Sequence, residues 1–335
     1  MLRIGLLLGG IALLVLLFWS LGPSKILDEL RKVGWYIAPV IVLGAAHQLT
    51  RAFALRACVL RPGVVRYRDV LAIHLSGEAI QSLTFTGPVL AESMKAWLLE
   101  SRGLTLKEGF ACTLTEYLIY AFVSAAMSIA GLLYLVSRFD PSPTLSTVAL
   151  TVVMLCTAFL VASAVAIARR FYLIGTVVAG LGRVRILRGG LTPNMSWING
   201  MEDLLLATLR DSPVRLAGIA ILEVAAHALV VVESFVILRA LGVMTTGWLV
   251  FVIEASVKFF EFAFLFIPLR LGASEGAYAA VLGVMGLPVT AGFAVAFLRR
   301  ARGLTVASVG LALLPLMTRS SSTISGDSAS RSEGQ

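Results

Sequence analysis

Long apolar runs separated by short polar stretches dominate the chain and predict membrane-spanning helices. An apolar run of about twenty residues is the length that crosses a bilayer as an α-helix. A transmembrane barrel would instead alternate polarity over segments of about ten residues. We therefore predict an all-α polytopic membrane protein with about seven to eight transmembrane helices. The runs lie at about 4–21, 36–56, 109–137, 145–168, 214–238 and 248–267, followed by a glycine-punctuated region from 272 to about 317.

Two apolar regions are interrupted, and each interruption predicts a broken or re-entrant helix. The first falls within about 70–99, at Thr84-Phe85-Thr86-Gly87-Pro88, and the second at Pro268-Leu269-Arg270-Leu271-Gly272. Irregular backbone at membrane depth survives only where other helices or a water-filled cavity satisfy its polar groups, so we expect both breaks to be covered by protein. The helix-breaking residues would be Gly87, Pro88, Pro268 and Gly272.

A glutamate follows each break near the start of a new apolar helix, Glu92 in the first case and Glu275 in the second. Breaks at corresponding places in two halves indicate an inverted repeat with its binding site at the repeat interface. The N-terminus of a half-helix favours an anionic group such as a lipid phosphate, and Arg270 would bind the same group. The alternative is that both glutamates are favourable first-turn residues of ordinary helices.

Charged residues inside the apolar segments are the second candidate feature. One charge at the centre of a spanning helix costs roughly 2.5–3.5 kcal/mol, so such residues pair with one another or face a hydrated cavity. Glu254, Lys258 and Glu261 are spaced four and three apart. They therefore share one helix face, where Lys258 can pair with either glutamate. A purely structural ion-pair cluster and a ligand site both fit this pattern.

Spacing also predicts inward-facing pairs in two other spans. His47 and Arg51 are four residues apart, and so are Glu223 and His227, so each pair faces one direction. A histidine in such a place is an interhelical hydrogen-bonding residue or a proton relay, the first being the commoner case.

Further charged residues accompany these pairs. Glu78 and Glu116 are candidates for the same polar interior, whereas Arg299, Arg300 and Arg302 end an apolar run. We expect at least two of these three arginines at the membrane surface. The full set of candidate headgroup or cavity residues is Arg51, Glu92, Glu116, Lys258, Glu261, Arg270, Glu275 and Arg299.

Composition narrows the class of function. The chain has 335 residues, 58% of them hydrophobic and 14% charged, and its mean hydropathy of +0.91 lies outside the range of soluble domains. The net charge of +9 would suit nucleic acid in a soluble protein, but in a membrane protein basic residues set topology and contact anionic headgroups. We expect no nucleic-acid partner. Cys58, Cys112 and Cys156 lack paired spacing, so we expect neither disulfides nor a metal site, and no cofactor.

Basic residues predict the orientation of the chain. If the N-terminus is cytoplasmic, the larger group of basic residues lies on the cytoplasmic side of the membrane. The positive-inside rule favours this orientation. We interpret 4–21 as a retained first span, because it exceeds the apolar core of a signal peptide, and 1–317 as one membrane domain with a disordered polar tail at 318–335. A short helix near 197–209 would lie along the membrane surface. The basic set includes Arg56, Arg61, Arg66, Arg68, Lys95, Arg102, Lys107, Arg169, Arg170 and Arg210.

Two motifs resemble a known family. They are the run from Thr86 to Ala96, a Gly…Glu…basic motif, and the run from Phe266 to Ala277, followed by the Arg-Arg-x-Arg sequence at Arg299. Both are similar to the transmembrane region of lysylphosphatidylglycerol synthases and its stand-alone, flippase-like relatives. The Arg-Arg-x-Arg ending most resembles the hopanoid-biosynthesis-associated membrane proteins. The chain departs from the family pattern at Ala91 and Lys95, where glycine and arginine are usual. It also departs at Leu269-Arg270, where the family's second motif contains more glycine.

The resemblance implies a lipid flippase or lipid-trafficking protein of the bacterial inner membrane, acting on hopanoid or anionic phospholipid. Its partners would be a membrane lipid substrate, anionic headgroups and, in one interpretation, lipid-biosynthesis enzymes. No aminoacyl-transferase domain follows the membrane region here, so we expect no lipid aminoacylation. The alternatives are a membrane-embedded polyprenyl or hopanoid transferase and a non-transporting scaffold. A metal-dependent transferase usually needs paired carboxylates, and the chain has neither Asp-x-Asp nor Asp-x-x-Asp; we expect it not to be an enzyme.

Overall fold

The computed structural model describes the backbone of residues 31, 33–61, 63–84, 87–183, 194–263 and 273–332, and the side chains of all of these except 181–183, 259–263, 273 and 318–332. In these ranges the protein is all-helical, with a short 3₁₀ helix at Gly34–Tyr36 and eleven α-helices. The helices are α1 Ile37–Cys58, α2 Tyr67–Leu83, α3 Pro88–Glu100, α4 Leu106–Phe139, α5 Pro143–Arg169, α6 Leu173–Arg183, α7 Met195–Asp211, α8 Pro213–Ala240, α9 Gly247–Ala263, α10 Ala273–Val284 and α11 Val289–Ser332.

Within the described ranges, five helices are long and apolar enough to cross a membrane. The prediction of an all-α polytopic membrane protein is therefore confirmed. The predicted first span at 4–21 lies outside the described residues. The spans are Gly34–Cys58, Leu106–Phe139, Pro143–Arg169, Pro213–Ala240 and Val289–Met317.

The last span is part of one continuous helix, α11, which includes Pro315. The backbone of the Ser-rich segment, which we expected to be disordered, continues α11 to Ser332. The division of the chain into a membrane domain and a tail at residue 317 stays a prediction.

The first interrupted region forms a hairpin of two half-helices, α2 and α3. With 17 and 13 residues they are about 25 Å and 20 Å long, too short to cross a bilayer core of about 30 Å singly. Gly87 turns the chain with a φ of +46°, which favours glycine, and Pro88 begins α3 where no N–H partner is needed.

Both ends of this hairpin lie on the side where α1 ends. Arg102 Nη1 lies 3.6 Å from Asp69 Oδ1, which joins the end of α3 to the start of α2. Arg61, in the loop after α1, donates from Nε to Glu108 Oε1 at 3.1 Å, at the start of α4. The tip of this hairpin, where α2 gives way to α3, therefore lies away from the side on which the hairpin enters and leaves.

The second interrupted region, α9 and α10, belongs to the opposite side. Trp248, at the start of α9, packs edge-on against Tyr134 in the last turns of α4, with ring centres 5.4 Å apart. At the far end of the α11 span, Met317 Sδ accepts from Arg102 Nη2 at 3.2 Å, on the side where α1 ends. Since α11 starts where α10 ends, α9 and α10 enter and return from the other side. Pro268, Arg270 and Gly272 lie outside the described residues.

The order of elements repeats with inverted direction. A span, a hairpin and a span follow one another as α1, α2–α3 and α4, and again as α8, α9–α10 and α11. The contacts repeat as well, because α2 packs along α11, α9 packs along α4, and α1 packs on α8. The described residues thus support the inverted repeat that the two breaks indicated.

Glycines allow the helices at two equivalent crossings to approach closely. A Cβ added to Gly310 of α11 would meet the backbone carbonyl oxygen of Leu75 in α2, and one added to Gly131 of α4 would meet Ala255 in α9. Small residues at such crossings are the usual device for close packing of membrane helices. Each hairpin is thereby held against the span of the other repeat.

Two short helices, α6 and α7, lie on the side where α1 ends. Trp197 of α7 packs edge-on against Phe110 near the start of α4, with ring centres 5.7 Å apart. Glu202 of α7 accepts from the backbone N–H groups of Ile174 at 2.9 Å and Gly175 at 3.0 Å. This carboxylate satisfies free donors at the start of α6, so the two helices form one unit. The expected position of α7 along the membrane surface stays a prediction.

Candidate functional site

Charged side chains from four other helices, α2, α3, α4 and α8, surround Arg51 of α1. Arg51 is 6% exposed, and its Nε donates to Glu116 Oε1 at 3.0 Å, while Nη2 donates to the same oxygen. Glu223 Oε1 lies 3.6 Å from Arg51 Nε, and Glu78 Oε1 lies 3.9 Å from Nη1. A spanning-helix arginine is thus compensated by carboxylates from α2, α4 and α8.

Lys95 of α3 joins the same group. Its Nζ lies 2.6 Å from Glu92 Oε1 and 3.6 Å from Glu116 Oε2, so Glu116 links both cations. Lys95, which we grouped with the basic residues of one membrane side, is 1% exposed, and its side chain lies against Gly77 of α2, inside the hairpin. We call the group the carboxylate-rich cluster: Arg51, Glu78, Glu92, Lys95, Glu116 and Glu223.

The histidines of this region make hydrogen bonds between helices. His74 Nε2 lies 2.9 Å from Gln48 Oε1, which joins α2 to α1. His227 Nε2 lies 2.8 Å from Ser124 Oγ, which joins α8 to α4. These contacts agree with the commoner of the two interpretations, in which a buried histidine forms hydrogen bonds between helices.

Three arginines of α11 pair with carboxylates of three other helices. Arg299 Nη1 donates to Glu254 Oε2 of α9 at 2.6 Å, and Arg300 Nη2 donates to Glu275 Oε2 of α10 at 2.6 Å. Arg302 donates to Glu233 of α8. Our expectation that at least two of these arginines lie at the membrane surface was wrong. The cause is that α11 continues past them, so the end of the apolar run marks the middle of a helix.

Glu254 is held from three helices. Besides Arg299, it accepts at Oε1 from Ser234 Oγ and from Tyr278 OH, both at 2.6 Å. Spacing along α9 had pointed to Lys258 as its partner. The Nζ atom of Lys258 lies 5.7 Å from the ring centre of Tyr120, and the Arg51 guanidinium lies 4.3 Å from the same ring centre.

A cavity of about 180 Å³ lies between the two repeats. Residues of α1, α2, α4, α8, α9, α10 and α11 line it, and we call it the polar cavity. Among the described residues, its charged lining consists of Arg51, Glu78, Lys258, Arg299, Arg300 and Arg302. Five cations therefore face one carboxylate, so the lining favours an anionic ligand. His47 also lines the cavity, and its buried Nδ1 has no hydrogen-bond partner among the described residues.

The structure brings together most of the candidate residues predicted from the sequence. Arg51, Lys258 and Arg299 line the polar cavity. Glu92 and Glu116 lie in the carboxylate-rich cluster, and Glu275 pairs with the lining residue Arg300. The side chains of Glu261 and Arg270 lie outside the described residues.

Sequence reasoning missed Glu233 and Tyr278, which bind Arg302 and Glu254. Glu233 lies in an apolar span, as Glu223 does, so the same signal would have found it. Tyr278 carries no such signal, because a tyrosine in an apolar helix is ordinary.

These features define a polytopic helical membrane protein whose inverted hairpins enclose a cationic cavity. The family described as the lysylphosphatidylglycerol synthase TM region matches residues 2–310, and the chain belongs to that family. The membership confirms the family resemblance across nearly the whole chain, and it connects the protein with lipid. Among curated proteins and solved structures, nothing matches the chain.

Proposed function

We propose that this protein moves a phosphate-bearing lipid across the membrane by binding its headgroup in the polar cavity. The observation that carries the proposal is the described part of the cavity lining, in which five cations and one carboxylate surround a space inside the spanning region. Family membership supports a lipid-related role. The process consists of binding and movement, with no covalent step.

Charge compensation explains how such a site exists when it is empty. Arg299, Arg300 and Arg302 each bind a carboxylate, so no guanidinium is left buried and unpaired. An entering phosphate offers the same fork geometry as a carboxylate. The headgroup would exchange with the carboxylates, and the arginines would remain compensated in both states.

The inverted hairpins supply a route for movement. Repeats of opposite direction support alternating access, in which one repeat moves against the other around a central site. The polar cavity lies between α2 on one side and α10 on the other, and these two half-helices come from opposite hairpins. The lipid chains would stay in apolar surroundings throughout.

The proposal also covers the class of lipid and the membrane in which the protein lies. An anionic phospholipid fits the cationic lining directly, and a hopanoid carrying a polar headgroup is the alternative that the Arg-Arg-x-Arg resemblance favours. We place the protein in the bacterial inner membrane with a cytoplasmic N-terminus, because the basic loops would then face the cytoplasm. Movement would be passive or coupled to an ion gradient.

The test neutralises one cation of the cavity without leaving its partner unpaired. Purified protein is reconstituted in vesicles with a fluorescent phosphatidylglycerol, and lipid movement is followed by bleaching the outer leaflet with dithionite. In the double variant Arg302→Gln with Glu233→Gln, we expect movement to fall about tenfold or more, the effect of losing one charge-assisted contact. The double variant should remain folded, since both members of the pair are removed together.

A matched pair away from the cavity provides the control. Arg61 and Glu108 also form an ion pair, with Nη2 2.6 Å from Oε2, but neither lines the polar cavity. Arg61→Gln with Glu108→Gln should leave lipid movement unchanged, and a glutamine at 108 preserves the helix-capping pattern with Thr105. Equal rates in both double variants and the unaltered protein would rule out the headgroup site. A changed lipid mass after incubation would favour the transferase alternative.

A further inference from the structure

A second, larger cavity of about 490 Å³ lies beside the first, between α4, α5, α6 and α7. Its lining is mostly apolar, with Leu118, Ala121 and Ala125 on α4, Leu155 and Phe159 on α5, and Leu173 on α6. We call it the apolar cavity. An engineered cavity of about 150 Å³ with a similar lining stays dry and binds benzene, so this space is large enough for a substantial hydrocarbon group.

Tyr117 of α4 lines both cavities. A tyrosine combines an apolar ring with a polar hydroxyl, which suits a boundary between dry and wet surroundings. The two cavities therefore lie on either side of one side chain. A ligand with a charged end and an apolar end would place one end in each.

The apolar cavity also faces the bilayer along α5. Only 11% of the most apolar window of α5 is buried inside the described protein, and Leu155, which lines the cavity, is 60% exposed. The lining on α5 extends from Leu155 to Ile167, about 18 Å along the helix axis. An elongated space of this kind fits a chain that enters sideways from the lipid.

The unit of α6 and α7 closes one end of the cavity. Glu202 is part of the lining, yet its carboxylate binds the backbone N–H groups of Ile174 and Gly175. Its charge is thus compensated by the start of α6, and the wall remains compatible with a hydrocarbon.

We propose that the apolar cavity binds one hydrocarbon chain of the lipid whose headgroup occupies the polar cavity. This inference rests on the proposed function, and it adds that one chain is held by protein while the headgroup is bound. The shared lining residue Tyr117 and the exposed wall of α5 favour a lipid chain over two other occupants. These other occupants are the protein's own apolar segment at residues 4–21 and a helix of a partner protein.

The test uses a phosphatidylglycerol that carries a photoactivatable diazirine at the end of one acyl chain. The lipid is mixed into vesicles with the reconstituted full chain, irradiated, and the labelled peptides are identified by mass spectrometry. We expect label on the α4 and α5 lining, within 114–128 and 155–167. Ala125→Phe fills the cavity and should reduce that label about tenfold, since a chain that loses two or more buried methylenes loses that factor in binding.

The matched control is Ala126→Phe, because Ala126 is the next residue of α4 and is exposed. It should leave the labelling unchanged. Ser163→Phe fills the cavity from the opposite wall, on α5. It gives a second, independent test if Ala125→Phe fails to fold. Label confined to the outer faces of α5, or unchanged in both filled variants, would overturn the proposal and point to one of the other occupants.

The outcome is distinguishable from that of the proposed function. Loss of label in the filled variants with unaltered lipid movement in Arg302→Gln/Glu233→Gln would support the chain site and refute the headgroup site. Unchanged label together with impaired movement in that double variant would refute the chain site alone.

Discussion

Single residues carry the electrostatics of this protein, and Glu116 links the two cations of the carboxylate-rich cluster. It binds Arg51 directly and lies 3.6 Å from Lys95 Nζ. It is fully buried, so no solvent screens these contacts. Four carboxylates face two cations in the carboxylate-rich cluster, but they do not contribute equally, because only Glu116 is close to both cations.

Glu116→Gln should therefore be among the most destabilising changes in the chain. Removing one partner of a buried ion pair costs about 3–5 kcal/mol, since a charge is left uncompensated. We expect a clear fall in the unfolding temperature of the purified protein in detergent. Glu223→Gln is the control, because Glu223 is equally buried but its ion pair with Arg51 is longer, at 3.6 Å. Comparable losses in the two variants would contradict this account.

At the scale of elements, α11 organises the second repeat. Its three arginines bind α8, α9 and α10, and its later turns pack against α2 of the first repeat. Gly310 permits that last contact, because Leu75 presents a backbone carbonyl that cannot rotate away. The position of the first hairpin relative to the cavity thus depends on a glycine in the other repeat.

Gly310→Ala should separate α11 from α2 and destabilise the protein by about 1–3 kcal/mol, the usual cost of overpacking. Gly218→Ala is the control, since an added Cβ on this glycine of α8 meets nothing within 4 Å. It should be neutral or stabilising by up to about 1 kcal/mol, as alanine favours a helix over glycine. Thermal unfolding in detergent measures both, and a Gly310 variant as stable as the Gly218 variant would show that the crossing tolerates a wider spacing.

For the whole molecule, local signals predicted the elements but not their partners. The spans and the break at Gly87-Pro88 follow from residues next to one another in the sequence. The arginine pairs do not, because Arg302 binds Glu233 and Arg299 binds Glu254 across 69 and 45 positions of the chain. A run that ends in charges looks like a membrane boundary unless the opposite charges are known to lie beside it.

The orientation of the whole molecule gives the last prediction. The loop after α1 and the loop after α8 lie on opposite sides of the bundle, and we expect the first to face the cytoplasm because it is rich in basic residues. We expect Met244→Cys, at a position 79% exposed, to react with a membrane-impermeant maleimide in intact cells. Gly63→Cys, at an open position of the first loop, should react only after the membrane is permeabilised. The three native cysteines are replaced by alanine in both variants, and the reverse pattern of labelling would mean that the basic loops face outward and that lipid meets the hairpins in the opposite order.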